Sequence, residues 1–126
     1  MVRLLLDTHI FLWVVNQSPR LNAKTRSFLE SAAAIYVSSA SIWEIAIKVR
    51  LGKMKADPDA MLSLIGASGF KELPVLGRHA TGVAKLPLHH GDPFDRLLVA
   101  QAISELMHLV TEDPHLAAYS DLVITV

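Results

Sequence analysis

Apolar residues recur along this chain in short runs separated by turn formers, and the runs alternate between strand-like and helix-like spacing. Residues 2–6 form a short apolar run that stops at Asp7 and predicts a strand buried on both faces. Residues 10–15 continue apolar until Pro19 closes the segment. Residues 22–33 predict a helix, with Asn22 as N-cap and Ala23, Phe28, Leu29 and Ala32 on the core face. A second strand is expected at 35–37. Ser38, Ser39 and Ser41 then lead into an amphipathic helix running to about Leu51, with Ile42, Ile45, Ala46 and Val49 apolar and Gly52 as the stop signal. Asp57-Pro58 supplies a cap followed by a first-position proline. The helix behind it carries Met61, Leu62, Leu64 and Ile65 and ends at Gly66.

Residues 70–73 predict a third strand, terminated by Pro74, and 78–84 a short helix. Residues 86–91 read as a loop marked by Pro87 and Gly91. Asp92-Pro93-Phe94-Asp95 opens a helix through Leu97, Leu98, Ala100, Ala102 and Ile103. Residues 108–110 predict a fourth strand, 114–119 one helical turn, and 122–126 a fifth strand. Strands alternating with helices imply parallel pairing and right-handed crossovers. The expected fold is α/β: a three-layer α/β/α domain spanning 1–126, with a central five-stranded parallel sheet and no repeat or linker.

Composition narrows the picture. The chain has 126 residues, 52% of them apolar and 19% charged. That excess of apolar side chain calls for a sheet covered on both faces, or for a sizeable partner interface. Cysteine is absent, which excludes disulfides and thiolate metal sites. The apolar run at the start breaks at Asp7, too early for a signal peptide, and no run approaches the roughly 20 apolar residues of a membrane span. A cytoplasmic protein is expected. Twelve basic residues balance twelve acidic ones. This argues against a protein that coats nucleic acid, but not against an enzyme that meets it over a short stretch. The densest basic segment, Lys48, Arg50, Lys53 and Lys55, reads as a solvated helix end.

The candidate chemistry is acidic. Asp7 follows the first strand, and Asp113 follows the fourth in Val110-Thr111-Glu112-Asp113, so both stand where parallel sheets build their sites. Each also has the chemistry of a cap, in Asp7-Thr8 and Asp113-Pro114. Glu44 either completes a capping box with Ser41 and pairs with Lys48, or points across the top of the sheet toward Asp7. Asp92 occupies an N-cap position and Asp95 the third helical position. Arg96 pairs with a carboxylate, reaches a phosphate, or is a solvated surface residue. The histidines, at 9, 79, 89, 90, 108 and 115, do not pair at zinc-site spacing; His89-His90, in the loop just before Asp92, either borders a site or is surface loop, and the surface loop is the favoured reading. No Gly-rich phosphate loop or Gly-x-Ser-x-Gly elbow is present. Carboxylates gathered in one pocket raise each other's pKa and call for a hard divalent cation, magnesium or manganese, whose natural reaction is phosphodiester hydrolysis.

The pattern resembles the PIN-domain ribonucleases, and among them the VapC-type toxins of toxin–antitoxin pairs. The resemblance is carried by Leu5-Leu6-Asp7-Thr8-His9 with Trp13 downstream, by the segment from Ser38 to Ile45 containing Trp43-Glu44, by His90-Gly91-Asp92-Pro93-Phe94-Asp95-Arg96 through Ala102, and by Thr111-Glu112-Asp113. It implies that Asp7, Glu44, Asp95 and Asp113 hold Mg2+ or Mn2+ and are the catalytic acids, that Thr8, Thr111 and Arg96 support them, and that Asp92 caps its helix. It also implies an endoribonuclease acting on RNA, homodimerisation, and a small antitoxin partner that covers the site. The alternatives are a non-catalytic binding module on the same scaffold and a small-molecule phosphotransferase.

Overall fold

The computed structural model describes residues 2–126. Its strands are β1 (Arg3–Leu6), β2 (Ala34–Ser38), β3 (Lys71–Leu73), β4 (His108–Thr111) and β5 (Val123–Thr125). They form one sheet in the order β3-β2-β1-β4-β5, with every pair parallel. The helices are α1 (Thr8–Val15), α2 (Ala23–Glu30), α3 (Ser39–Arg50), α4 (Pro58–Ala67), α5 (Gly77–Gly82) and α6 (Pro93–Glu105). Single 3-10 segments follow at Val83–Lys85 and Pro114–Tyr119.

The alternation expected of a sheet buried on both faces is explicit in β1. Leu4 and Leu6 point into one layer with Ile10, Phe11, Ile45 and Ile65. Leu5 points into the other with Leu98, Val99, Ala102 and Leu116. All three leucines are fully buried, each worth about 2 kcal/mol of apolar transfer. The layers are therefore helix, sheet, helix, and the predicted α/β/α architecture is the observed one.

Local chemistry sets the helix starts. Asn22 accepts the Thr25 N–H at 2.8 Å, Asp57 accepts the Asp59 N–H at 3.0 Å, and Asp92 accepts the Phe94 N–H at 2.8 Å. Two features are decided by the fold rather than by the spacing. The apolar stretch 10–15 is helical, because Asp7 turns the chain directly out of β1 and caps α1. And α3 begins at Ser39, since the Ser38 hydroxyl accepts the Ala40 N–H at 3.0 Å. Ser41 and Glu44 consequently lie inside the helix, and the capping box expected between them does not form.

The order of the strands matters for function. The chain leaves β1 toward β2 and β3, then crosses back to β4 and β5 on the other side. The reversal falls between β1 and β4, the place where parallel α/β sheets open a crevice at their carboxyl ends.

Leu106 closes α6 in the left-handed conformation, φ 56° and ψ 46°, and is 75% exposed. A side chain there costs about 1 kcal/mol relative to glycine and gains little packing. Leu106→Gly is expected to raise unfolding stability by about that amount in urea titration; an unchanged or lower midpoint would show that the leucine packs usefully.

Candidate active site

Each acid reaches the carboxyl edge of the sheet by a different local device. Asp7 follows β1, and its backbone N–H donates to the Val110 carbonyl at 3.0 Å. Its Oδ1 accepts the Ile10 N–H at 2.9 Å while Oδ2 accepts the Thr111 hydroxyl at 2.5 Å. The residue is 4% exposed. Burial holds its pKa above the usual carboxylate range, against the lowering effect of the Thr111 and Ile10 hydrogen bonds.

Glu44 is buried within α3. Oε1 accepts the Thr8 hydroxyl at 2.7 Å and Oε2 accepts the Lys48 ammonium at 2.7 Å. Thr8 Oγ1 also lies 3.0 Å from Ser41 Oγ, so α1 and α3 are joined through this group. The i,i+4 pair with Lys48 is thus present, and both carboxylate oxygens have partners.

Asp95 stands in the first turn of α6, where its N–H donates to the capping Asp92 carboxylate at 3.1 Å. Its pKa is pushed up to about 7, first by burial, then by the negative charges of Asp92 and Asp7, with Glu44 adding a smaller push and His90 opposing.

Asp113 caps the 3-10 turn after β4. The Thr111 hydroxyl oxygen accepts its N–H at 3.1 Å. Asp113 Oδ1 accepts the His115 N–H at 2.9 Å and lies 3.0 Å from His115 Nδ1. Burial pushes its pKa up, but the His115 hydrogen bonds and the nearby His90 and His115 rings outweigh this and hold it below the usual range.

Asp7, Asp95 and Asp113 line one open cleft of about 330 Å3 together with His9, Glu112 and His115. Glu44 is not among its lining residues; its carboxylate acts on the site from the Thr8 side, and its charge is felt by Asp95. Among the described residues, one group of potential ligand atoms lies within 4.8 Å of one another: His90, Asp95 and Asp113. An oxygen-dominated set without thiolate fits a hard divalent cation.

Of the two readings open for His90, the sequence favours the surface loop, but the fold turns its ring toward the site. Nε2 lies 3.0 Å from Asp113 Oδ2 and 3.8 Å from Asp95 Oδ2. The visible signal was its place two residues before a helix cap, which fixes where a short loop can send a side chain. Arg96 goes the other way. Its guanidinium donates to the carbonyls of Pro87 at 2.9 Å and Val83 at 3.2 Å, and to the Tyr119 hydroxyl at 3.0 Å. It pairs with no carboxylate in the cleft; it braces the loop that carries His90. Of the basic stretch, Lys48 is spent on Glu44, and Arg50, Lys53 and Lys55 are exposed.

At the rim, Trp43 and Phe94 pack edge to face, centroids 5.2 Å apart at 71°. Each immediately precedes an acid of the site, and the indole is 60% exposed.

The fold is shared with solved toxin–antitoxin structures. The chain superposes on a chain of VapBC2 from Rickettsia felis, solved bound to a promoter DNA fragment, with TM-score 0.72 at 20% identity, covering 98% of this chain and 97% of that one. It matches a chain of VapBC from Salmonella typhimurium, solved bound to DNA, with TM-score 0.68 at 15% identity, covering 100% and 98%. A toxin–antitoxin complex from Klebsiella pneumoniae gives TM-score 0.66 at 16% identity, covering 96% and 95%. No curated protein matches the sequence significantly. Residues 4–122 match the PIN domain family. With that match over nearly its whole length, and with its acids gathered at the switch point of a five-stranded parallel sheet, the chain belongs to the PIN domain family.

Proposed function

We propose that the chain is a metal-dependent endoribonuclease, the toxin of a type II toxin–antitoxin pair, with 1–126 as one nuclease domain working in the cytoplasm. One observation carries the chemistry: Asp7, Asp95 and Asp113 line one cleft at the carboxyl edge of the sheet, where burial and the neighbouring carboxylates push the Asp95 pKa up to about 7. A cleft so arranged has a strong electrostatic demand for a cation. Among the described residues, no helix is long and apolar enough to cross a membrane.

Asp7, Asp95 and Asp113, with Glu44 behind them, would hold Mg2+ or Mn2+. When bound, such an ion lowers the pKa of a water and neutralises charge developing on the phosphate oxygens. The protein's own part is positioning. Thr111 and the Ile10 N–H fix both oxygens of Asp7, so it presents its remaining lone pairs rigidly. Thr8 and Lys48 fix both carboxylate oxygens of Glu44 in place. No activated serine or cysteine stands in the cleft, consistent with attack by water without a covalent intermediate. The exposed indole of Trp43 offers a face on which an unpaired base can stack, which favours single-stranded RNA. The likeness to chains solved in toxin–antitoxin complexes supports an antitoxin partner.

Asp7→Asn keeps the acceptor for Ile10 and removes the charge. It is expected to fold normally by circular dichroism and to lose RNA cleavage by more than about 100-fold; full activity with unchanged metal dependence excludes this function. A wild-type chain that binds no manganese in calorimetric titration is instead the non-catalytic module.

A second test uses proton linkage. Asp95 has a folded pKa of about 7, against roughly 4 when unfolded. The folded state therefore binds the extra proton between those values. Its stabilising contribution is complete below about pH 4 and is lost as pH rises to about 7. Without metal, the melting temperature should fall across that interval more steeply in wild type than in Asp95→Asn. The upward shift on adding Mn2+ should be larger near pH 8 than near pH 5. Parallel curves for the two proteins contradict the assignment.

Trp43→Ala is expected to raise KM for a single-stranded RNA about tenfold, with Trp43→Phe close to wild type. An unchanged KM assigns the indole to a protein interface.

A further inference from the structure

The chain between Asp95 and Asp113 runs down α6 to Glu105 and back along β4, so the two acids stand at the far tips of a helix–strand hairpin. Ligand atoms of His90, Asp95 and Asp113 nevertheless lie within 4.8 Å of one another. Charged carboxylates that close repel until a cation lies between them. A tie between the tips stands behind the cleft, in one phenol. Tyr119 ends the 3-10 segment that Asp113 caps. Its Oη accepts the backbone N–H groups of His89 at 3.2 Å and His90 at 2.8 Å, and donates to the His90 carbonyl at 3.3 Å. Arg96, the residue after Asp95, donates to the same oxygen at 3.0 Å. A hydroxyl has one proton and two lone pairs, so the whole capacity of this one is spent joining the loop before α6 to the turn after β4.

The ring is packed as well as bonded. It leans on the core layer that contains Leu116, meets the His89 ring edge to face with centroids 5.0 Å apart, and carries the Arg96 guanidinium 5.9 Å from its centroid. Neither Tyr119 nor Arg96 is among the residues lining the cleft, so their influence on an ion held there runs through the placement of Asp95 and Asp113. That placement discriminates between ions. Mg2+ demands near-ideal octahedral geometry with oxygens at about 2.0–2.1 Å, whereas Ca2+ accepts irregular sets at about 2.3–2.6 Å. We propose that Tyr119, locked by Arg96, is a positioning residue that fixes the separation of Asp95 and Asp113 and thereby makes the cleft selective for a small divalent cation. The inference rests on reading Asp95 and Asp113 as cation ligands. A cleft released from Tyr119 loses small ions more than large ones.

Titration calorimetry of the full chain with Mg2+ and with Ca2+ tests this. Tyr119→Phe keeps the ring and removes only the hydroxyl. It is expected to weaken Mg2+ binding about tenfold, the scale usual for residues that orient metal ligands, and Ca2+ binding by less than about threefold. Arg96→Met should shift the selectivity the same way, and the double variant should lose little more than the larger single change, because both act through one hydroxyl. Thermal melting without metal checks that each variant is folded; if Tyr119→Phe is not, the selectivity of Arg96→Met decides alone. A folded Tyr119→Phe with unchanged Mg2+ affinity, or with equal losses for Mg2+ and Ca2+, overturns the proposal and leaves Tyr119 a stabilising residue only. Fully additive losses in the double variant overturn the joint clamp. A wild-type chain that binds Mg2+ selectively but cleaves no RNA refutes the proposed function and leaves the clamp standing, whereas one that binds no divalent cation overturns both.

Discussion

The hydrogen bond from Thr111 to Asp7 joins the ends of β4 and β1 across 104 positions of sequence, and the geometry of the cleft depends on it. It lies at the point where the order of strands reverses. On one side, Asp7 turns the chain into α1 and, with the Ile10 N–H, uses its other oxygen as a cap. On the other, the same Thr111 hydroxyl accepts the Asp113 N–H and sets the turn that carries the next acid. One buried threonine therefore orients two carboxylates that emerge from different strands. Burying Asp7 is costly, and these partners offset the cost without neutralising the charge. What remains is a residue held stiffly and still electrically unsatisfied.

The same logic extends outward. The chain carries no net charge, yet its negative groups crowd together at one edge of the sheet. Asp113 is relieved by His115 and held low, Glu44 is paired with Lys48, and Asp95 is pushed up to about 7. Local compensation sorts the acids: Asp113 is held low, while Asp7 and Asp95 are pushed up. Such uneven pKa values within one pocket are what a site for a divalent cation would require in its empty state. A cluster selected only for stability would pair every acid or replace them with apolar groups.

Much of this was legible in the chain. Asn22, Asp57 and Asp92 were readable as caps because capping is local chemistry, completed within three residues. The parallel sheet was readable because strands buried on both faces must be apolar throughout. The capping box at Ser41 failed for a local reason as well: Ser38 competes for the same helix start and takes it. The element after Asp7 stays unassigned by the sequence, because a short apolar run has no periodicity that tells helix from strand.

The sequence by itself determined the order of elements, the parallel three-layer architecture and the identity of the acids at the ends of strands, since each follows from spacing over a few residues. Only the tertiary structure decided what those acids and their neighbours are free to do. Whether Glu44 faces the cleft depends on Thr8, 36 residues away, and whether His90 lies on the surface or in the site depends on Tyr119, 29 residues away. Arg96 resembled a substrate contact until the carbonyls of its own loop claimed it. A hydrogen-bonding group of this kind takes its role from whichever partner the fold brings within 3 Å, and spacing along the chain does not encode that distance.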